Sequence, residues 1–379
     1  METNEINDTG INKYMDHSQP TGKKSGNGGA YFVMSLILFL LSATALAVVI
    51  LFIRTQTKKP EPEIVETQEE VTYNKAQVDL LMYDAIENAK AEAEDRVRNE
   101  MNSMLTDLSK ESSGILKYLR QTNPDQVIFI DSNKYQYYPV DTSLRKNVIN
   151  NDFIRTGDSS GFFSYANDGN TVTSHAGIDV STYQKDIDWN KVKAAGVEFA
   201  IIRTGFRGYG SGAIVEDSCF LQHMQGAQEA GIKVGVYFFS QAVNVDEAIE
   251  EADYVLSMIA PYKIDYPVII DVEEIQDSAR TDGLSGDEIT DCVCAFCDRI
   301  AAAGYKPMVY ANLTYYIKKL NISRLDAYDK WFAYYNDSIY FPYEIGIWQY
   351  TADGTVDGIS GKVDLNISFY DYGEVQTNE

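Results

Sequence analysis

From about residue 177 the chain alternates between short apolar runs and amphipathic stretches. Apolar runs of strand length fall at 177–181, 199–205, 233–240, 266–274, 306–312, 330–336, 344–351 and 362–369. Apolar residues recur at three- and four-residue spacing over 216–230, 245–258 and 285–303, and each of these stretches ends shortly before a Gly or Pro. That spacing and punctuation predict amphipathic helices. Ser285 and Glu288 add a capping box at the start of the third. Strand and helix in alternation predict parallel βαβ units, and eight runs predict closure into an α/β, irregular TIM-like β/α barrel over 176–379. The last three runs follow one another with too little sequence for full crossover helices, so the irregularity is expected on that side.

Upstream the pattern changes several times. Residues 1–30 are polar, with a Gly/Ser-rich stretch and no hydrophobic period, and read as a disordered cytoplasmic tail. Residues 31–53, opening on Tyr31 and closing on Ile53, run 23 residues without a charge. At 1.5 Å per residue this is roughly 34 Å, enough to cross a hydrocarbon core, and it outlasts the about 7–15 apolar residues of a cleaved signal. The expectation is a single-pass transmembrane helix in the cell membrane, with the C-terminal barrel extracellular. Lys23 and Lys24 before the span and Arg54, Lys58 and Lys59 after it nearly balance, so charge does not set the orientation. Residues 54–124 read as a Pro-containing linker followed by a helical stalk. Val78, Met82, Ala85, Ala89, Ala93, Val97, Met101, Met104 and Leu108 line one stripe of that stalk. The stripe suits either self-association as a weak, alanine-seamed coiled coil or packing of one helix on a neighbouring domain. In 125–175 the segments VIFI, KYQYYPV and GFFSYAND predict short strands of a small β-rich spacer or cap.

The formal charge of −24 changes the picture of partners. No basic patch stands out, which argues against nucleic acid. An acidic body is also repelled by anionic wall polymers, so proximity to a cell envelope has to come from an anchor. Cys292, Cys294 and Cys297 resemble a metal motif in spacing only. On a helix, residues two apart point roughly 200° away from each other, and Cys297 shares the apolar stripe of Ile289, Val293 and Ile300. The histidines are His17, His175 and His223, at no zinc-site spacing. No metal and no cofactor is expected.

The candidate chemistry centres on YPVIIDVEE (266–274). Asp271 and Glu273 lie two apart at the end of a buried strand, so their side chains share a face, at the rim where barrel active sites are built. The other strands bring Asp179, Arg203, Tyr237, Tyr310 with Asn312, Tyr334 or Tyr335 with Asn336, Trp348 with Gln349, and Asp364. Any one of these fits a turn former or a core aromatic. Gathered together, carboxylates and aromatics suit sugar rings, and paired carboxylates are the minimum apparatus for cutting a glycosidic bond.

The motifs GIDVSTYQKDIDW (177–189), FAIIRTGFRGYG (199–210), GVYFFSQA (235–242), IIDVEE (269–274), MVYAN (308–312), IWQYT (347–351) and VDLN (363–366) occur in order. This series resembles glycoside hydrolase family 25, the Chalaropsis-type lysozymes, over about 177–369. The resemblance implies hydrolysis of the β-1,4 bond between N-acetylmuramic acid and N-acetylglucosamine in peptidoglycan. It also implies Glu273 as general acid, Asp271 as its partner carboxylate, and Asp179 and Asp364 as further acids of the site. Tyr237 matches a tyrosine near the reacting centre. Arg203, Tyr310, Asn312, Tyr334, Trp348 and Gln349 are the expected substrate contacts. Neighbouring negative charge would keep Glu273 protonated near neutrality while Asp271 stays ionised. The bond to the anomeric carbon is left open between a carboxylate and the substrate's own 2-acetamido group. A glycan-binding scaffold without catalysis, or a hydrolase of another N-acetylglucosamine polymer, are the competing readings.

Overall fold

The computed structural model describes residues 74–108, 112–157, 161–166, 169, 172, 174–275 and 278–375. The chain divides into two compact units, with a boundary at Asn99. Helix α1 (Lys75–Leu108) runs 34 residues. It carries charges throughout, including Asp79, Asp84, Glu87, Lys90, Glu94 and Arg96, and exposes Leu80, Leu81, Met82, Tyr83 and Ile86.

The membrane placement expected from the sequence needs correction. The expected span at residues 31–53 lies outside the described residues. Among the described residues no helix is long and apolar enough to cross a membrane, and α1, although long enough, would bury many charges in hydrocarbon. The assignment to a cell membrane with a cytoplasmic tail and an extracellular barrel is therefore not kept.

After α2 (Ser112–Thr122), strands β1 (Gln126–Asp131) and β2 (Lys134–Pro139) form an antiparallel hairpin. Ser132 and Asn133 take positive φ at its turn, as the two central residues of a type I′ turn do. A second, minimal hairpin pairs β3 (Ile154–Arg155) with β4 (Ser164–Tyr165).

The barrel strands are β5 (His175–Val180), β6 (Phe199–Arg207), β8 (Lys233–Phe239), β9 (Val268–Asp271), β10 (Pro307–Asn312), β11 (Asp329–Ala333), β12 (Ile347–Gly354) and β13 (Val363–Ser368). Each falls on one of the eight expected runs. A short β7 (Ile214–Glu216) folds back on the end of β6. The sheet runs β5-β13-β12-β11-β10-β9-β8-β6 and closes through the β5–β6 pairing. Every neighbouring pair is parallel except those of β13, which is antiparallel to both β12 and β5. The eight strands are thus not uniformly parallel. With only a short loop between β12 and β13, the last strand can do nothing but turn back.

Alternation sorts the side chains into two layers. Phe199, Ile201, Tyr266, Ile269, Met308, Tyr310, Trp331 and Ile347 fill the barrel interior, joined by Tyr372 from the C-terminal segment. The stack of Phe199 on Tyr266, at 4.3 Å between centroids, forms its floor. Gly177 makes room for it, since a Cβ there would stand 2.2 Å from the Phe199 ring.

The residues of opposite parity pack outward under helices α3 (Trp189–Ala194), α4 (Phe220–Glu229), α5 (Val245–Ile259) and α6 (Gly286–Ala302). Helix α6 begins with the expected capping box, Ser285 N donating to Glu288 Oε2 at 2.8 Å. Cys292 and Cys297 are buried on its inner side, and burial pushes the Cys292 thiol up to about 12.

Between β10 and β11 the chain makes only short helical turns at Tyr315–Lys319 and Ile322–Leu325, and Tyr316 and Phe341 cover Phe332 there. The outer face of β12 and the end of β13 is covered instead by the segment before the barrel. Phe163 stacks on Tyr350 at 4.1 Å and meets Trp348 edge-on, and Tyr165 meets Phe369. Asn151 exchanges two hydrogen bonds with Ile339, donating from Nδ2 at 2.9 Å and accepting at Oδ1 at 2.8 Å. Asn147 N donates to Pro342 O at 2.9 Å, and Asp141 N to the Tyr343 hydroxyl at 3.0 Å. This segment therefore supplies, over β12 and the end of β13, part of the outer layer that crossover helices supply elsewhere.

Candidate active site

The inward-facing row is apolar at the floor and becomes polar at the end where the parallel strands finish. Asp179 on β5, Arg203 on β6, Tyr237 on β8, Asp271 on β9, Tyr310 on β10 and Gln349 on β12 all lie in this top layer. Asp364 joins them from the start of β13. Because β13 runs backwards, its N-terminal end meets the C-terminal ends of the others, and Asp364 stands directly opposite Asp179. Glu273 follows β9 by two residues and is partly exposed.

A hydrogen-bond chain fixes this layer. Asp179 Oδ2 accepts from Gln349 Nε2 at 2.9 Å and Asn366 Nδ2 at 2.8 Å. Gln349 Oε1 accepts from the hydroxyls of Tyr310 at 2.8 Å and Tyr335 at 2.9 Å. Asn366 Oδ1 accepts from Trp331 Nε1 at 2.8 Å. The amides are thereby held with their N–H groups toward the carboxylate. On the other side, Arg203 Nε pairs with buried Asp217 at 2.7 Å. Asp217 also accepts from the backbone N–H groups of Thr182 and Cys219. Arg203 Nη2 and Asp271 Oδ1 are buried without a hydrogen-bond partner. An arrangement that leaves a buried donor and a buried acceptor unmatched is set up for a polar ligand.

Burial and mutual repulsion dominate the electrostatics. Burial lifts Asp179 to about 6, even though Asn366 and Gln349 favour its ionised form. Burial also lifts Glu273 to about 7, opposed by the Tyr310 hydroxyl and reinforced by Asp179. Asp271 is held well above the ordinary carboxylate range by burial, then by Glu273 and Asp179, against the pull of Arg203. Asp364 is held high by burial, Asp179 and Glu273. The four titrate as a set. Asp271 in the free site is therefore not simply the ionised partner of a protonated Glu273, because the same surroundings resist its charge as well. Tyr237 is kept a neutral phenol by burial, with Asp179, Asp271 and Asp364 adding to the effect against Arg203.

The fold brings together Asp179, Arg203, Tyr237, Asp271, Glu273, Tyr310, Gln349 and Asp364. It does not bring in Tyr334, Trp348 or Asn312. Tyr334 stacks on outward-facing Phe332. Trp348, one residue from Gln349, necessarily points the other way and donates to Tyr334 O at 2.8 Å. Asn312 is exposed and caps the next turn by accepting from Tyr315 N at 2.9 Å. Of the pair Tyr334 or Tyr335, it is Tyr335 that joins the cluster, and Asn366 and Asp217 belong to it without having been singled out as its members. Asn366 was findable, since it lies two residues beyond Asp364 on the same strand face.

Residues 178–359 match the family model described as glycosyl hydrolases family 25. The chain is 31% identical over 196 residues to the autolytic lysozyme of Clostridium acetobutylicum, covering 50% of this chain and 54% of that protein. It is 30% identical over 201 residues to lysozyme M1 of Streptomyces globisporus, covering 50% of this chain and 66% of that one. The match thus spans about half the length of the first relative and about two thirds of the second. Among solved structures, the bacterial lysozyme from Streptomyces coelicolor is 26% identical with a TM-score of 0.45, covering 53% of this chain and 95% of that chain.

Proposed function

The chain belongs to glycosyl hydrolases family 25 through residues 178–359, and on that premise we propose that it is a peptidoglycan hydrolase of the muramidase type. The bond cut is the β-1,4 linkage from N-acetylmuramic acid to N-acetylglucosamine. The observation that carries the reading is the gathering of four acids at one rim, with Glu273 held at about 7, where a carboxylic acid still has a proton to give at neutral pH.

Glu273, partly exposed, protonates the leaving glycosidic oxygen as that bond breaks. The carbonyl oxygen of the 2-acetamido group on the cleaved sugar closes on the anomeric carbon from the opposite face. Asp271 Oδ1, without a partner in the free site, accepts the acetamido N–H and orients that group. The positive charge developing on the sugar favours the ionised form of Asp271, which the empty site resists. Water then adds to the anomeric carbon as its bond to the acetamido oxygen breaks and the acetamide is restored, and the water gives a proton to the Glu273 carboxylate, so the configuration is retained. Burial and the neighbouring Asp179 keep the acid's pKa high, and Gln349, itself held by Tyr310, and Asn366 hold Asp179 in place.

The test is product analysis. Purified peptidoglycan digested with the full chain, reduced with borohydride and examined by mass spectrometry, should carry new reduced muramic acid ends. New glucosamine ends would contradict the bond assignment. Binding with no new ends of either kind would make the barrel a glycan-holding scaffold.

A further inference from the structure

The segment that covers β12 and the end of β13 lies outside the residues matching the family, yet it touches the working rim at two points. At the first, Arg120 of α2 donates from Nη1 to the Tyr334 hydroxyl at 3.3 Å. Its guanidinium is fixed from two further sides: Nε donates to Ile128 O at 2.8 Å, and the group lies 3.5 Å from the centroid of the Tyr340 ring. Tyr340 is in turn tied to β1, accepting from Ile128 N at 2.9 Å and donating to Gln126 O at 3.2 Å. At the second point, Asp131 at the β1–β2 turn pairs with Lys318, in the turn that follows β10.

Tyr334 is one step from the acids. Its N–H donates to Gln349 O at 3.0 Å, and its own carbonyl receives Trp348 Nε1 at 2.8 Å. The next residue, Tyr335, donates its hydroxyl to Gln349 Oε1, and Gln349 Nε2 holds Asp179. A displacement of Tyr334 therefore reaches Asp179 through Gln349 by two routes, backbone and side chain.

We propose that Arg120 is a positioning residue for the acidic site, acting through the Tyr334 hydroxyl on the Tyr335–Gln349–Asp179 chain, and that the segment before the barrel is part of the working enzyme. The role assigned to the site rests on the muramidase reading; the mechanical link does not.

The test uses the full chain with Tyr334→Phe, Arg120→Ala and the double variant. Tyr334→Phe keeps the ring on Phe332 and removes only the hydroxyl, so it remains informative if Arg120→Ala does not fold. Each single variant should lower kcat on soluble glycan fragments about tenfold with KM within about twofold, as misplacement of a catalytic group does. The double variant should be no worse than the single ones, because both break one link. Independently of turnover, the Asp179 carboxyl carbon, identified by its loss in Asp179→Asn, should titrate at higher pH in both variants, since a loosened Gln349 stabilises its charge less. Wild-type kcat and an unmoved Asp179 titration, with only a lowered Tm, would overturn the proposal. If the wild type cuts no glycan, the muramidase reading falls, and the carboxyl titration alone decides the positioning role.

Discussion

Asp179 on β5 and Asp364 on β13 are register partners across an antiparallel junction of the barrel wall. Asp179 is served by two amide donors, whereas the surroundings of Asp364 are dominated by burial and negative neighbours. The first is thus the easier of the two to ionise, and once it has, it raises the cost of ionising the others.

Replacing Asp179 by Asn removes the negative neighbour that reinforces burial in raising Glu273, so the pKa of Glu273 should fall. If Glu273 is the acid, the alkaline limb of the pH–rate profile, near its value of about 7, should move to lower pH by roughly half to one unit. A profile of kcat/KM on soluble glycan fragments checks this.

Stability should carry the same signature. Asp179, Glu273 and Glu251, the last buried on α5 where it accepts from Arg207 and Ser240, are raised to about 6, 7 and 7 in the folded chain, above ordinary carboxylate values. The folded state therefore binds more protons than the unfolded one between about pH 4 and 7, and stability falls as pH rises through that window. Calorimetry should give a lower Tm at pH 8 than at pH 5. Glu273→Gln should lessen the drop, and relieving about 1 kcal/mol would raise Tm at pH 8 by about 2–4 °C.

Chain length should matter in a way the family match does not suggest. A chain beginning at residue 176 uncovers Trp348, Tyr350 and Phe369, which are buried in the full chain. It should be recovered mostly as aggregate, whereas one beginning at residue 112 should be soluble and melt close to the full chain. Yield after gel filtration and the melting curve check this.

The barrel floor offers a simpler test. Gly177→Ala places a methyl 2.2 Å from the Phe199 ring and forces the Phe199–Tyr266 stack to shift. The expected loss is about 1–3 kcal/mol, measured by denaturant unfolding.

Much of this was legible in the sequence because strand length, apolar content and Gly/Pro punctuation are local properties. All eight barrel runs and the helices over 220–229, 245–259 and 286–302 could be read from them. Strand direction is not local. Nothing in VDLN says that β13 returns antiparallel, so Asp364 reaches the rim from the opposite end of its strand. Parity was legible but easily misapplied. Trp348 and Gln349 are adjacent on one strand, so only one can face the cluster, and the same holds for Tyr334 and Tyr335. The sequence left 125–175 open between a spacer and a cap, because the contacts that make this segment a cover join positions nearly two hundred residues apart.

The most direct test of the account is reducing-end release from purified peptidoglycan by Glu273→Gln, with circular dichroism to show that the variant is folded. Gln keeps the size of the side chain and cannot donate an acid's proton, so release should fall by at least about a hundredfold at unchanged secondary structure. Release at the wild-type rate from the folded variant would contradict the account, because no other group in the cluster would then need Glu273 to break the bond.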